Sequence, residues 1–397
     1  MTDPQSDATV PASDTGVFAR TAGAAALVTT VVALPTLLLG GLAVLIQREL
    51  GFGQAQLGMA VASTFLVGAL SAPMSGRLAE RLGPRRAIRF GLLAAGVSLL
   101  GVAFVAQSWL VLVPFIAVAG LGVTLSQLGT NVLIARRVPA SRQGLAFGLK
   151  QAAVPLASLL SGLALPLVGL TLGWRAAFVM AAVLLPFVAL VLPDAARAPR
   201  RDGAPARTPP MPGLLMLTVG VALGSAAGNS IPAFVVASAV DRGLDVATAG
   251  LVLAIGSIVG IAVRVLGGWG GDRLGRGALV LVAVLLLVGA VGFVGLAIFE
   301  DPLLVVLSTS LAFGGGWGWA GLVLLAVSRT SPDAPGRAMG IVQIGPMTGA
   351  VVGPLVFGVV ADTVGFGAAW AVLAVFAVAG AGTVLVSRRM LLPGRTG

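Results

Sequence analysis

The sequence predicts an all-α membrane protein whose twelve transmembrane helices form two pseudo-symmetric six-helix bundles. Three observations predict it: an apolar composition, arginines confined to alternate loops, and an internal repeat. Of 397 residues, 57% are hydrophobic and only 10% charged, and the mean hydropathy is +1.04. A chain solvated by water does not sustain that balance. Apolar runs long enough to cross a bilayer recur along the whole length, which a soluble core does not need.

Reading these runs between charges and turn residues gives spans near 22–47, 56–76, 90–106, 108–135, 143–169, 174–192, 213–239, 246–271, 278–299, 302–328, 338–361 and 366–387. Residues 1–20, whose first part is rich in Thr, Ser, Asp and Pro, read as a disordered cytoplasmic tail. The first apolar run is long and eleven follow, so no cleavable leader is expected. Spans 1 to 6 give an N-terminal bundle over 21–192. The proline-rich stretch 193–212 is the expected cytoplasmic linker. Spans 7 to 12 give a C-terminal bundle over 213–389, and 390–397 form a second cytoplasmic tail.

The arginines test this topology independently of hydropathy. Of 25 basic residues, 20 fall in the tails, the linker and the loops on one side, among them Arg77, Arg81, Arg85, Arg136, Arg197, Arg273 and Arg388. Only Arg48, Arg175 and Arg242 fall on the other side. That asymmetry is the positive-inside pattern, with both termini cytoplasmic and an even number of crossings. A multi-pass protein of the cytoplasmic (inner) membrane is expected, with the lipid bilayer as its surroundings. The net charge of +11 is thereby topological, and no nucleic-acid partner is expected.

The chain also repeats itself. Gly76, Arg81 and Gly83 recur as Gly268, Arg273 and Gly275, with Glu80 replaced by Asp272, at a constant offset of 192 residues. At the same offset Gly148, Gln151, Gly173, Ala176 and Ala177 recur as Gly340, Gln343, Gly365, Ala368 and Ala369. One offset held across six helices means two homologous halves.

The loop Gly76-Arg-Leu-Ala-Glu80-Arg81-Leu-Gly83-Pro-Arg85-Arg86, between spans 2 and 3, resembles the cytoplasmic signature of the major facilitator superfamily. Gly268-Trp-Gly-Gly-Asp272-Arg273-Leu-Gly275-Arg276 repeats it between spans 8 and 9. The first copy departs from the signature in carrying Glu80 where Asp is usual. The resemblance implies a monomeric secondary transporter whose halves rock about a central site. In such a loop, glycines allow sharp turns and close approach, and a carboxylate caps a helix or pairs with an arginine. Gly76, Glu80, Arg81, Arg85, Gly268, Asp272, Arg273 and Arg276 are therefore the candidate gate. The alternative is that the arginines only anchor the topology.

All fourteen acids lie in tails, loops or at helix ends, whereas Lys150 and Arg264 lie within spans. An intramembrane charge is costly and marks function by default. Lys150 is the chain's single lysine, against 24 arginines, so its compact, deprotonatable head is what arginine could not supply. Both residues sit ~10–12 Å inside the span ends at 1.5 Å per residue, and snorkelling is the competing reading. The pattern Ser257-x-x-Gly260-x-x-x-Arg264-x-x-x-Gly268 resembles helix 8 of the monocarboxylate and oxalate carriers. That resemblance implies an arginine that binds a substrate carboxylate. The chain departs from those carriers in the second cation: span 1 is uncharged inside, and the repeat partner of Lys150 is Val342.

The expected site is an anion bridging Lys150 and Arg264, completed by Gln127, Asn131, Asn229, Ser257, Gln343 and Trp317. For the neutral polar residues, interhelical hydrogen bonding is the competing role. A small anionic substrate, a monocarboxylate or similar oxyanion, is the leading expectation, with a coupled proton or counter-anion left open. Proton-driven efflux of hydrophobic drugs is the alternative. It is weakened by the lack of a membrane carboxylate and by the placing of Gly345-Pro346-x-x-Gly349, which partly resembles the drug-antiporter signature, on span 11 instead of span 5. A non-transporting receptor on the same fold has no positive feature in the sequence. The chain has no Cys, His or Tyr, which excludes thiolate and histidine chemistry. No phosphate-cradling loop is present. No enzyme activity, cofactor or metal is expected.

Overall fold

The computed structural model describes residues 12–193, 211–271, 277–330 and 335–391. Within them are twelve helices long and apolar enough to cross a membrane. They are α1 (Ala12–Gly41), α2 (Gln54–Leu82), α3 (Pro84–Phe104), α4 (Trp109–Arg137), α5 (Ala140–Ala164), α6 (Trp174–Val191), α7 (Met211–Asp241), α8 (Val246–Gly271), α9 (Ala278–Ile298), α10 (Pro302–Val327), α11 (Pro335–Thr363) and α12 (Phe366–Leu391). Two of them change pitch within the span. A π-helical turn, Leu165–Gly169, carries α5 on to Leu172, and another, Ala312–Gly316, leads the first part of α10, Pro302–Leu311, into the segment Ala320–Thr330.

Two boundaries differ from those expected. Residues 12–20 belong to α1 and not to a disordered tail, because Phe18 packs beside Ala22, Ala25, Ile134 and Val138 and lies under the Arg142 guanidinium at 5.9 Å. The first span also ends at Gly41, and a separate short helix, Ala43–Leu50, follows it.

The repeat is visible in the backbone. Every described residue with positive φ is a glycine, and four of these five fall in equivalent pairs: Gly51 (67°) with Gly243 (87°), and Gly173 (85°) with Gly365 (107°). Each pair is separated by 192 residues. A side chain at these turns would be strained, so glycine is required in both halves. Gly83, at φ 83°, makes the turn from α2 into α3, with Pro84 opening the next helix.

Within each half, small residues let the helices approach closely, as membrane packing requires. A Cβ at Gly91 would meet Ser126, and one at Gly289 would meet Gly316. Between halves, α2 packs on α11 and α5 on α8, two contacts equivalent under the repeat, and α1 packs on α7. Gly162 faces Gly250, Gly58 faces the carbonyl of Pro354, and Gly40 faces Pro232 and Ala233. All of these lie toward the face opposite the termini. At that face Asp362 of α11 accepts hydrogen bonds from the backbone N–H groups of Gln54 (2.8 Å) and Ala55 (2.7 Å), capping the start of α2 across the interface. The halves are thus sealed at one face, and a cavity remains between them toward the other.

Candidate functional site

The cavity, of about 270 Å³, is lined by α1, α2, α4, α5, α7, α8, α10 and α11. Its wall is largely apolar, with Val32, Phe65, Val123, Leu324, Met339 and Met347 among the lining residues. Among the described residues, Arg264 is the single charged one in that lining.

Breaks in two helices hold Arg264. In α5 the carbonyl of Gln151 would ordinarily accept from the N–H four residues on, but that residue is Pro155, which has none. Arg264 Nη1 donates to this carbonyl at 2.7 Å. In α10, Trp317 sits where the π turn ends, at φ −120°. Its carbonyl accepts from Arg264 Nη2 at 2.9 Å and Nε at 3.3 Å, and its indole ring lies 4.8 Å from the guanidinium carbon. Arg264 is 8% exposed and forms no ion pair with a carboxylate among the described residues. Three of its five N–H groups are engaged, so two remain for a ligand.

The neutral polar residues of the wall fall into two groups. Asn229 Nδ2 donates to Ser225 Oγ and to the Ser225 carbonyl, at 2.9 and 3.0 Å, and Ser225 Oγ donates to the Pro346 carbonyl at 2.7 Å. This fixes the amide and leaves its Oδ1 without a protein partner among the described residues. Gln127, Gln151 and Gln343 also line the cavity.

Three of the expected ligands stand elsewhere. Lys150, 2% exposed, lies between α5 and α4, where its Nζ donates to Asn131 Oδ1 at 2.5 Å and to the Gln127 carbonyl at 3.3 Å. Neither Lys150 nor Asn131 lines the cavity, because the lysine stem points into its own bundle and the two residues satisfy each other. Ser257 is likewise turned away. Its hydroxyl donates to the Leu253 carbonyl at 2.7 Å and shares a hydrogen bond with Ser158 Oγ at 2.9 Å, joining α8 to α5. The structure therefore gathers Arg264, Gln127, Asn229, Gln343 and Trp317, but it does not place the second cation beside the first. Sequence reasoning missed Thr29, Thr36, Thr64 and Thr124, which line the wall. Thr36 Oγ1 donates to Thr64 Oγ1 at 3.3 Å, and Thr64 donates to the Ile116 carbonyl at 3.1 Å. The signal was present: hydroxyls at mid-span, with Thr29 and Thr36 two helical turns apart on one face of α1.

The expected gate is partly described. Arg81 is exposed and Arg85 half-buried near the α2–α3 turn. A Cβ at Gly76 would meet nothing within 4 Å, so in this arrangement no neighbouring element uses the gap left by its missing side chain. Gly268 belongs to α8, while the Glu80 side chain and residues Asp272, Arg273 and Arg276 lie outside the described residues.

The family model of the Major Facilitator Superfamily matches residues 25–302 and 215–395. The chain belongs to the major facilitator superfamily. A curated relative, an MFS-type efflux pump of Mycolicibacterium smegmatis (strain ATCC 700084 / mc(2)155), is 28% identical over 274 residues. That stretch covers 62% of this chain and 63% of the relative, so the chain spans under two thirds of the relative's length. Two crystal structures of a bacterial homologue of the human lysosomal transporter Spinster share the fold. The inward-facing, occupied form has a TM-score of 0.66 at 16% identity, covering 94% of this chain and 95% of that one. The inward-facing, unoccupied form has a TM-score of 0.68 at 15% identity, covering 95% and 96%. At these identities the likeness concerns the superfamily fold alone.

Proposed function

We propose that this superfamily member is a secondary transporter that moves a small organic anion, a monocarboxylate or similar oxyanion, by alternating exposure of the central cavity. The observation that carries this reading is Arg264, a buried guanidinium in a largely apolar wall that has no carboxylate partner among the described residues and two unengaged N–H groups. A carboxylate would take those N–H groups in the planar geometry that suits a guanidinium. The apolar wall and Trp317 would hold its hydrocarbon part. In this reading the rocking bodies are 21–192 and 213–389, joined through 193–212. Both termini are cytoplasmic in the inner membrane, the protein works as a monomer, and the cavity faces inward. The loops holding Glu80 with Arg81, and Asp272 with Arg273, open and close the inner gate.

A second reading, export of hydrophobic compounds, draws on the curated relative's designation as an efflux pump and on the apolar wall. A thermal-shift screen of purified protein separates the two, because a ligand that binds the folded state raises its melting temperature by mass action. Small carboxylates and oxyanions should stabilise the wild type and leave Arg264→Ala unmoved. Stabilisation by lipophilic cations or neutral drugs alone, equal in both proteins, would favour the export reading.

A further inference from the structure

We infer that Pro155 is a positioning residue for Arg264: by freeing the Gln151 carbonyl, it ties the cavity's cation to the opposite half and makes that bond a lock between the halves. Arg264 is on α8 and Gln151 on α5, so the 2.7 Å hydrogen bond crosses the interface. Two further polar contacts that cross it, Asp362 with α2 and Ser257 with Ser158, are both nearer the sealed face. The arginine bond lies farther from the sealed face than either of these.

The proline favours this contact. In an unbroken helix the Gln151 carbonyl would also accept from the residue-155 N–H, and Arg264 would have to share it. With Pro155 the residue-155 N–H is gone, and a half-buried carbonyl freed of its helical partner gains a strong donor. Pro155 also packs at the interface itself, since a Cβ at Gly260, one turn of α8 from Arg264, would sit 3.6 Å from its Cβ.

The repeat supplies a control within the molecule. The positions equivalent to Arg264, Gln151 and Pro155 are Ala72, Gln343 and Met347 on α2 and α11. There residue 347 has an N–H to offer the Gln343 carbonyl, and alanine stands at the arginine's position. At the equivalent positions, 347 and 72, neither the proline nor the arginine is present. The lock does not depend on which cargo is carried, because it is a property of the empty protein.

The test uses the full chain without cargo. The chain has no native cysteine, so Leu145→Cys on α5 and Leu266→Cys on α8 give one spin-labelled pair whose distance distribution reports the relation of the two helices. Pro155→Ala restores the N–H and should shift the population toward the separated arrangement by about tenfold, as expected for loss of a hydrogen bond to a charged group. Arg264→Ala should shift it similarly, and the double variant no further than either single one, because both changes remove the same bond. A proline acting only through its kink would shift the distribution equally with Arg264 intact and in the Arg264→Ala background. That equality, or an unchanged distribution in Pro155→Ala, would overturn the proposal. Pro155→Val, which also restores the N–H, and the Arg264→Met background repeat the test should an alanine variant fold poorly. Because no ligand enters, failure here leaves the anion-binding screen unaffected, and the reverse also holds.

Discussion

Arg264 is held by geometry and not by charge. Its three hydrogen bonds run to two neutral carbonyls, and its plane lies near the Trp317 ring. Arg264→Lys should fold but lose the forked contact, since an ammonium cannot serve both carbonyls and a carboxylate in one plane. A dissociation constant for a stabilising carboxylate raised about tenfold, measured by calorimetry, is the expected outcome. An unchanged constant would mean that charge alone matters. At the end of the N-terminal half opposite the termini, Glu49 accepts from Arg175 and from Trp174 Nε1 (2.6 Å). The Arg175 hydrogen bond holds the Glu49 carboxyl below the usual glutamate range. Because the folded pKa is depressed, the stability this pair adds is present above the ordinary value near ~4.3 and is lost as pH falls through the folded value. Melting curves of wild type and Glu49→Gln should therefore differ at neutral pH and converge in acid. A gap that persists below that range would contradict the assignment. At this scale the intramembrane cations were legible, because a charge in an apolar run stands out in sequence. The direction of Lys150 was not: whether its stem enters the cavity or turns to Asn131 depends on the rotation of α5 against α4, which depth along one helix does not specify.

The existence of the twelve helices was legible from their apolar lengths, and their ends from turn glycines such as Gly173 and Gly365. Breaks inside helices were not. The π turns at Leu165–Gly169 and Ala312–Gly316 arise where neighbouring helices crowd the backbone, as at Gly316 against Gly289, a contact between α9 and α10 that neither span reveals alone. The helical start at Ala12 was missed for a similar reason, since a polar segment was stabilised by Phe18 packing on α4 and α5. The interface between α2 and α11 makes its own prediction. The Asp362 carboxylate accepts from two N–H groups at the start of α2, whereas an asparagine offers one oxygen. Asp362→Asn should loosen the sealed face by roughly 1 kcal/mol, in line with other helix caps. A spin-label pair at Met59→Cys and Val359→Cys should then show a broader and longer distance distribution. An unchanged distribution would show that the glycine contacts alone seal that face.

For the whole molecule, the constant offset of 192 residues made the two-bundle architecture legible, and equivalent glycines with positive φ carry it into the backbone. The symmetry also isolates what is not shared: Arg264 has Ala72 as its partner and Pro155 has Met347, so the cavity's chemistry belongs to one side of a symmetric frame. The assembled cavity was only half legible. Its members come from eight helices, and threonines such as Thr36 and Thr64 become a lining only once α1 and α2 are brought together. The direct test of an anion carrier is flux. Purified protein in sealed vesicles should move a radiolabelled carboxylate that stabilises it, saturably and faster than empty vesicles, and Arg264→Ala should abolish that flux while remaining folded. Carboxylate flux that survives intact in Arg264→Ala would contradict the account.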